Sequence, residues 1–234
     1  MKFIIDKRLF DLFPEMTIGV VVLYDLDNSG TSEQVNQLFQ QVQRDFQQAF
    51  PYPRIQEHPF IKPWREAFQR LGIPASKFYS SIEAMGRRIL KGSYLPSINN
   101  LVNLYNALSI KHLIPVGGHD IETIKGNIYL CFTTDEERFL PMGFDQWEKV
   151  PSGEVVYKDD YEVLTRRWVW RQCEKDKVTP SSRQVFIPID VLGEVGREKL
   201  VEVIADFTIL IPRYLSATTS HYILDRDNRE VTIL

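Results

Sequence analysis

Cysteine is almost missing from this chain of 234 residues: only Cys131 and Cys173 occur. Two thiols give no disulfide framework, and a reducing cytoplasm is the simpler setting. No run of about 18 apolar residues is present, so no membrane span is expected. The opening Met1–Lys7 starts as a signal peptide does, but Asp6 and Lys7 interrupt it and no small-residue cleavage site follows, so it reads as mature chain. The four histidines (His58, His112, His119, His221) are scattered without zinc spacing. A P-loop, a dinucleotide fingerprint and a GxSxG elbow are all absent. The DxDxSG run at Asp25–Gly30 lacks the glutamate that closes a calcium loop. No metal and no cofactor are therefore expected, and for an enzyme the simplest chemistry left is metal-free hydrolysis.

What is present is an ordinary globular composition, 44% hydrophobic and 25% charged, long enough to bury a core unaided. The net charge is −3, but Phe60–Pro115 carries eight Lys/Arg against Glu66 and Glu83, a local +6. Such a block fits a polyanion contact or several solvated helix faces. Thr17–Tyr24 is a β-branched buried strand, and Ser32 or Thr31 caps a helix with apolar residues at Val35, Leu38, Phe39, Val42 and Phe46. Further helices are expected over Trp64–Leu71, from Ser80 or Ser81 to Gly92, and over Asn99–Ile110. Short strands follow at Leu113–Val116, Asn127–Thr133, Arg138–Leu140, Glu154–Tyr157 and Gln184–Ile189, then a helix over Gly196–Ile211 and a terminal hairpin around Asp225–Asn228. No linker or repeat divides the chain, which predicts one α+β domain.

Four segments carry candidate chemistry. Asn99, Asn103 and Asn106 share a helix face, where amides either line a polar cleft or serve as caps and structural bonds. In Pro115–Asp120 the Gly117–Gly118 backbone can hold an oxyanion, with His119 and Asp120 as a base or water-orienting pair, or the segment is a loop with a capping aspartate. Neighbours on a strand point to opposite faces, so His119 and Asp120 need not meet. Glu154 opens an apolar strand. Thr165–Gln172 interleaves Arg166, Arg167 and Arg171 with Trp168 and Trp170; extended, it would put Arg167, Val169 and Arg171 on one face and the tryptophans on the other. Arginine and tryptophan suit unpaired RNA through charge and stacking, or form a core pair with exposed cations.

The ordered run Arg87–Arg88–Ile–Leu–Lys91–Gly, Leu95–Asn106, Leu113–Asp120 and Lys125–Ile128, with Gly153–Asp159 and the Arg–Trp–x–Trp–Arg–Gln run behind it, resembles the B3/B4 domain of the phenylalanyl-tRNA synthetase beta chain. The resemblance covers about Pro63–Asp190, with residues 1–62 an N-terminal strand-and-helix extension and 191–234 a C-terminal helix and hairpin. It implies an α+β fold with a curved, barrel-like mixed β-sheet flanked by helices. It also implies an editing activity, hydrolysis of the ester between a wrong amino acid and tRNA. Without ATP-binding motifs, the chain would act in trans on the charged 3′ end of tRNA. The pattern departs at two points: Gly117 stands where the synthetase domain has a histidine, and Pro188 where it has a pocket glutamate. His119 and Asp190 are the expected replacements for water positioning and amine recognition. On this basis His119, Asp120, Gly117, Gly118 and Asp190 are catalytic candidates, and Asn103, Asn106, Glu154, Trp170 and Gln172 substrate-binding candidates. Arg87, Arg88, Lys91, Arg167 and Arg171 are candidates for RNA contact. A non-catalytic RNA- or small-ligand-binding module on the same fold is the alternative.

Overall fold

The computed structural model describes residues 1–234. In chain order the strands are β1 (Lys2–Ile5), β2 (Thr17–Asp27), β3 (His119–Asp120), β4 (Ile128–Phe132), β5 (Glu137–Phe139), β6 (Glu148–Val150), β7 (Val155–Lys158), β8 (Val163–Arg166), β9 (Arg171–Gln172), β10 (Val185–Val191), β11 (Ser216–Leu224) and β12 (Glu230–Thr232). The helices are α1 (Lys7–Leu12), α2 (Glu33–Ala49), α3 (Lys62–Arg70), α4 (Ser81–Leu90), α5 (Asn100–His112) and α6 (Gly196–Tyr214). Side-chain oxygens of Ser32, Ser80 and Asn99 cap α2, α4 and α5 by accepting from the first-turn N–H groups. Gly72 and Gly92, both at positive φ, follow α3 and α4. No helix is long and apolar enough to cross a membrane.

The strands form a six-stranded sheet in the order β12-β1-β4-β7-β8-β9, a four-stranded sheet in the order β11-β2-β10-β3, and a separate β5-β6 pair. The large sheet is mixed, since β1 runs parallel to β4 and its other pairs are antiparallel. The α+β fold is as expected; no sheet closes on itself into a barrel, and two open sheets share a core.

Alternation along β2 shows how the layers are built. Ile18, Val20 and Val22 join Phe3, Ile5, Leu130, Tyr157 and Trp168 in the core between the sheets. Val21 and Leu23 face the other way, into a second core with Leu104, Leu108, Leu200 and Phe207 of α5 and α6. A third cluster packs α2, α4 and α5 together. Helix α6 comes very close to β2 at Gly19, where a Cβ would lie 2.6 Å from Leu200 Cδ1.

Three sequence expectations fail. The terminal segment is not a hairpin: a turn at Asp225–Asn228 separates β11, which pairs with β2, from β12, which pairs with β1 in the other sheet. Thr165–Gln172 is not extended either. Residues 167–170 form the turn of the β8–β9 hairpin, with Arg167 and Trp168 at φ +47° and +64°. Leu113–Val116 forms no full strand, only a Val116–Ile189 bridge beside β10.

Candidate active site

A cavity of about 200 Å³ opens where the two sheets meet below α5. Strand β10 carries Phe186, Pro188 and Asp190 on its inter-sheet face, because those residues alternate with Ile187 and Ile189 on the helix side. The segment Pro115–Gly118 lies alongside: Asp190 N–H donates to the Pro115 carbonyl at 3.2 Å and Gly117 N–H to the Pro188 carbonyl at 3.4 Å. This pairing carries His119 into the cavity wall. Opposite stand Tyr157 of β7 and the turn and second strand of the β8–β9 hairpin, including Trp168, Trp170 and Gln172.

His119 is 2% exposed, and its Nδ1 is hydrogen-bonded to the carboxylate of Asp176, which is 0% exposed. The other oxygen of Asp176 accepts from the Gln172 amide at 3.0 Å and the Cys173 thiol at 3.1 Å. A carboxylate that accepts from Nδ1–H fixes the tautomer with a free lone pair on Nε2. That Nε2 has no partner within the chain, and His119 lines the cavity. Burial raises the thiol pKa of Cys173 well above its usual range, so it acts as a donor to Asp176 and not as a nucleophile.

Asp190 is the second buried polar group, 2% exposed. Tyr157 Oη and Trp168 Nε1 both donate to its Oδ1, at 2.7 and 2.9 Å, leaving Oδ2 unpartnered within the chain. Burial raises its pKa to about 6, although the two donors and nearby His119 pull it down. The cavity therefore holds an imidazole acceptor and a carboxyl group that titrates near neutrality. Together they suit a base that draws a proton from water and an anion that receives a cation or hydroxyl.

The other sequence candidates separate. Asn106 lines the cavity with no side-chain hydrogen bond within the chain, and Trp170, Gln172 and Arg171 also line it. Gln172 donates to the Gly118 carbonyl at 2.7 Å as well as to Asp176, so it braces the wall. Asn103 does not reach the cavity: its carbonyl accepts from Ile98 N–H, and its amide donates to Asn36 and Ser97. Asn99 caps α5 and donates to Val178. Asp120 points away from His119, as strand alternation requires; it accepts from Ser182 and caps the short helix that follows. Gly117 N–H is already committed to Pro188, while Gly118 N–H makes no hydrogen bond within the chain. Glu154 lies outside the cavity, paired bidentately with Arg166 and accepting from Arg167 N–H.

Much of the basic block is paired internally. Glu83, 1% exposed in its side chain, holds Arg65 and Arg87, and Lys111 pairs with Asp206. Arg88 and Lys91 are exposed at the end of α4 away from Ser81, which lines the cavity. Arg167 lies at the hairpin turn against Phe78 and Trp170. Asp176 and Tyr157 were not marked by sequence. Asp176 is 57 residues from the histidine it orients, and no local motif surrounds it.

The fold and site thus define an α+β domain with a small, partly polar cavity at the seam of two sheets. A family model described as the B3/4 domain matches residues 63–200, more than half of the chain, and the chain belongs to that family. A solved N-terminal fragment of the phenylalanyl-tRNA synthetase beta-subunit from Pyrococcus horikoshii is similar at 14% identity and a TM-score of 0.41. The similarity covers 87% of this chain but 48% of that fragment, so the chain spans about half its length. No curated protein matches the chain.

Proposed function

We propose that this chain hydrolyses the ester of mischarged aminoacyl-tRNA in trans. The observation that carries the reading is His119 Nε2, set by buried Asp176 and opening into a cavity of amino-acid size beside Asp190. A water donates its proton to Nε2 as its oxygen attacks the ester carbonyl carbon. The tetrahedral oxyanion collapses, the ribose oxygen leaves and takes the proton back from Nε2, and free amino acid and tRNA are the products. Asp190 Oδ2 receives the substrate's ammonium; Gly118, although its N–H is uncommitted, is buried and is not among the cavity's lining residues, so no preformed backbone donor for the oxyanion is assigned. Membership of the B3/4 family and the resemblance to the synthetase editing domain support this choice over other esters.

The test is a panel of charged tRNAs incubated with the purified protein. Release above the spontaneous rate for at least one amino acid is expected, and no release from any of them removes the proposal. One observation favours a non-catalytic binding module on the same fold. Gly117 N–H is taken by Pro188, so a two-donor oxyanion site is not preformed. That reading gives salt-dependent tRNA binding without release.

A further inference from the structure

The cavity accommodates about the volume of an amino acid, so the nucleotide that carries it must lie across the mouth. From the wall residues Trp170 and Arg171 a row of packed aromatic and guanidinium groups extends beyond the cavity. Phe78 packs on the Trp170 ring at 4.8 Å, and Arg167 Cζ lies 3.7 Å from the Phe78 centroid and 4.4 Å from that of Trp170. Arg171, a cavity-wall residue, follows with its Cζ 5.8 Å from Trp170 and 4.6 Å from Phe144. Phe144 ends the row and is 59% exposed.

The loop that presents Phe144 is anchored to the cavity wall. Met142 N–H donates to the Gln172 carbonyl at 3.1 Å and Gly143 N–H to Glu174 at 2.8 Å, while Phe144 N–H closes a turn on the Pro141 carbonyl at 3.1 Å. These bonds fix the loop's main chain, so presenting Phe144 to a partner costs little backbone ordering. Arg171 lies over its ring, and more than half of the residue stays exposed. Glu148 lies 3.5 Å from Arg171 but also accepts from Arg166 at 2.8 Å, so its charge is shared and Arg171 retains attraction for an anion.

We propose that Phe144 is the stacking platform for the unpaired 3′-terminal base of an RNA strand, with Arg171 beneath it meeting the adjoining phosphate. Stacking on an aromatic face tolerates any base and adds to a cationic contact, which suits an enzyme that must accept one common RNA end. This rests on the aminoacyl-ester reading for the identity of the strand. The platform itself can be tested without hydrolysis.

The experiment measures fluorescence anisotropy of a short 5′-labelled single-stranded RNA with a free 3′ hydroxyl, titrated with the full chain and with Phe144→Ala and Phe144→Trp. Phe144→Ala is expected to bind about tenfold more weakly and Phe144→Trp about as well as the parent. Thermal unfolding of each variant confirms that the exposed substitution leaves the fold intact. Equal binding by Phe144→Ala and the parent, or no binding of the RNA by the parent, overturns the platform. A parent that binds in a Phe144-dependent way but releases no amino acid from charged tRNA removes the hydrolysis proposal and leaves the platform. A parent that hydrolyses with no contribution from Phe144 does the reverse.

Discussion

His119 and Asp176 act as one unit if the imidazole is the base. The carboxylate holds the proton on Nδ1 so that Nε2 can accept one. Asp176→Asn keeps the shape but lets an amide compete as donor, which favours the wrong tautomer. Deacylation by Asp176→Asn and by His119→Ala is expected to fall by a similar factor, on the order of a hundredfold or more. Near-full activity in either variant would separate the pair from the chemistry. Asp190 gives a pH signature instead. Its pKa is about 6 in the fold, against about 3.9 for an unperturbed aspartate. Between those values the unfolded chain has released a proton that the native chain still holds. Stability therefore falls as pH rises from about 4 to about 6 and is flat above, by at most about 3 kcal/mol. In Asp190→Asn the amide oxygen can still accept from Tyr157 and Trp168, and that slope should disappear. Equilibrium unfolding at a series of pH values reads it directly, and an unchanged slope in Asp190→Asn would assign the titration elsewhere.

Among the elements, the β8–β9 hairpin sets both the cavity wall and its rim. It is held by Arg166, 8% exposed in its side chain, which bonds Glu154 through two nitrogens and Glu148 through a third. Glu154→Gln removes the charge that balances this buried guanidinium and is expected to cost about 2–4 kcal/mol. Because Glu154 touches no part of the cavity, the folded fraction should keep its kcat/KM; a selective rise in KM would restore it as a substrate contact. The same hairpin shows where local sequence stops being informative. Helix starts at Ser32, Ser80 and Asn99 were legible because a cap acts within its own first turn. The turn at Arg167–Trp168 was not, since neither residue favours positive φ. Long-range contacts hold it there: Trp168 is wedged against Trp64 and Phe13 and donates to Asp190, while Arg167 N–H donates to Glu154. The asparagine stripe on α5 divides in the same way. Its spacing was readable, but the use of Asn103 depends on Asn36, 67 residues earlier, and only Asn106 reaches the cavity. His119 was legible as a base candidate. Its true partner, distant in sequence, was not, and the adjacent Asp120 points the other way.

At the scale of the whole molecule, the two sheets are tied together by the chain that follows α6. Strand β11 lies along β2 in one sheet, then a short turn delivers β12 to β1 in the other. Strand β1 has β12 on one side and β4 on the other, so the last residues complete the large sheet and do not decorate it. Ile233 is 2% exposed, its carbonyl accepts from Tyr24 Oη on β2, and its N–H donates to the Met1 carbonyl. Since both sheets contribute side chains to one core and to one cavity, neither buries its inner face alone. The expectation is a single cooperative unfolding transition, with calorimetric and van't Hoff enthalpies in agreement. Two resolved transitions would mean that the sheets fold as separate units. Deleting residues 226–234 strips β12 and Ile233, a loss of about 2–4 kcal/mol of burial that lowers Tm by about 5–15 °C. Because the cavity lies at the seam, the truncated chain should lose ligand or RNA binding over the same temperature interval in which its secondary structure melts. Binding lost well below that melt would instead show that the seam opens on its own, with each sheet still folded.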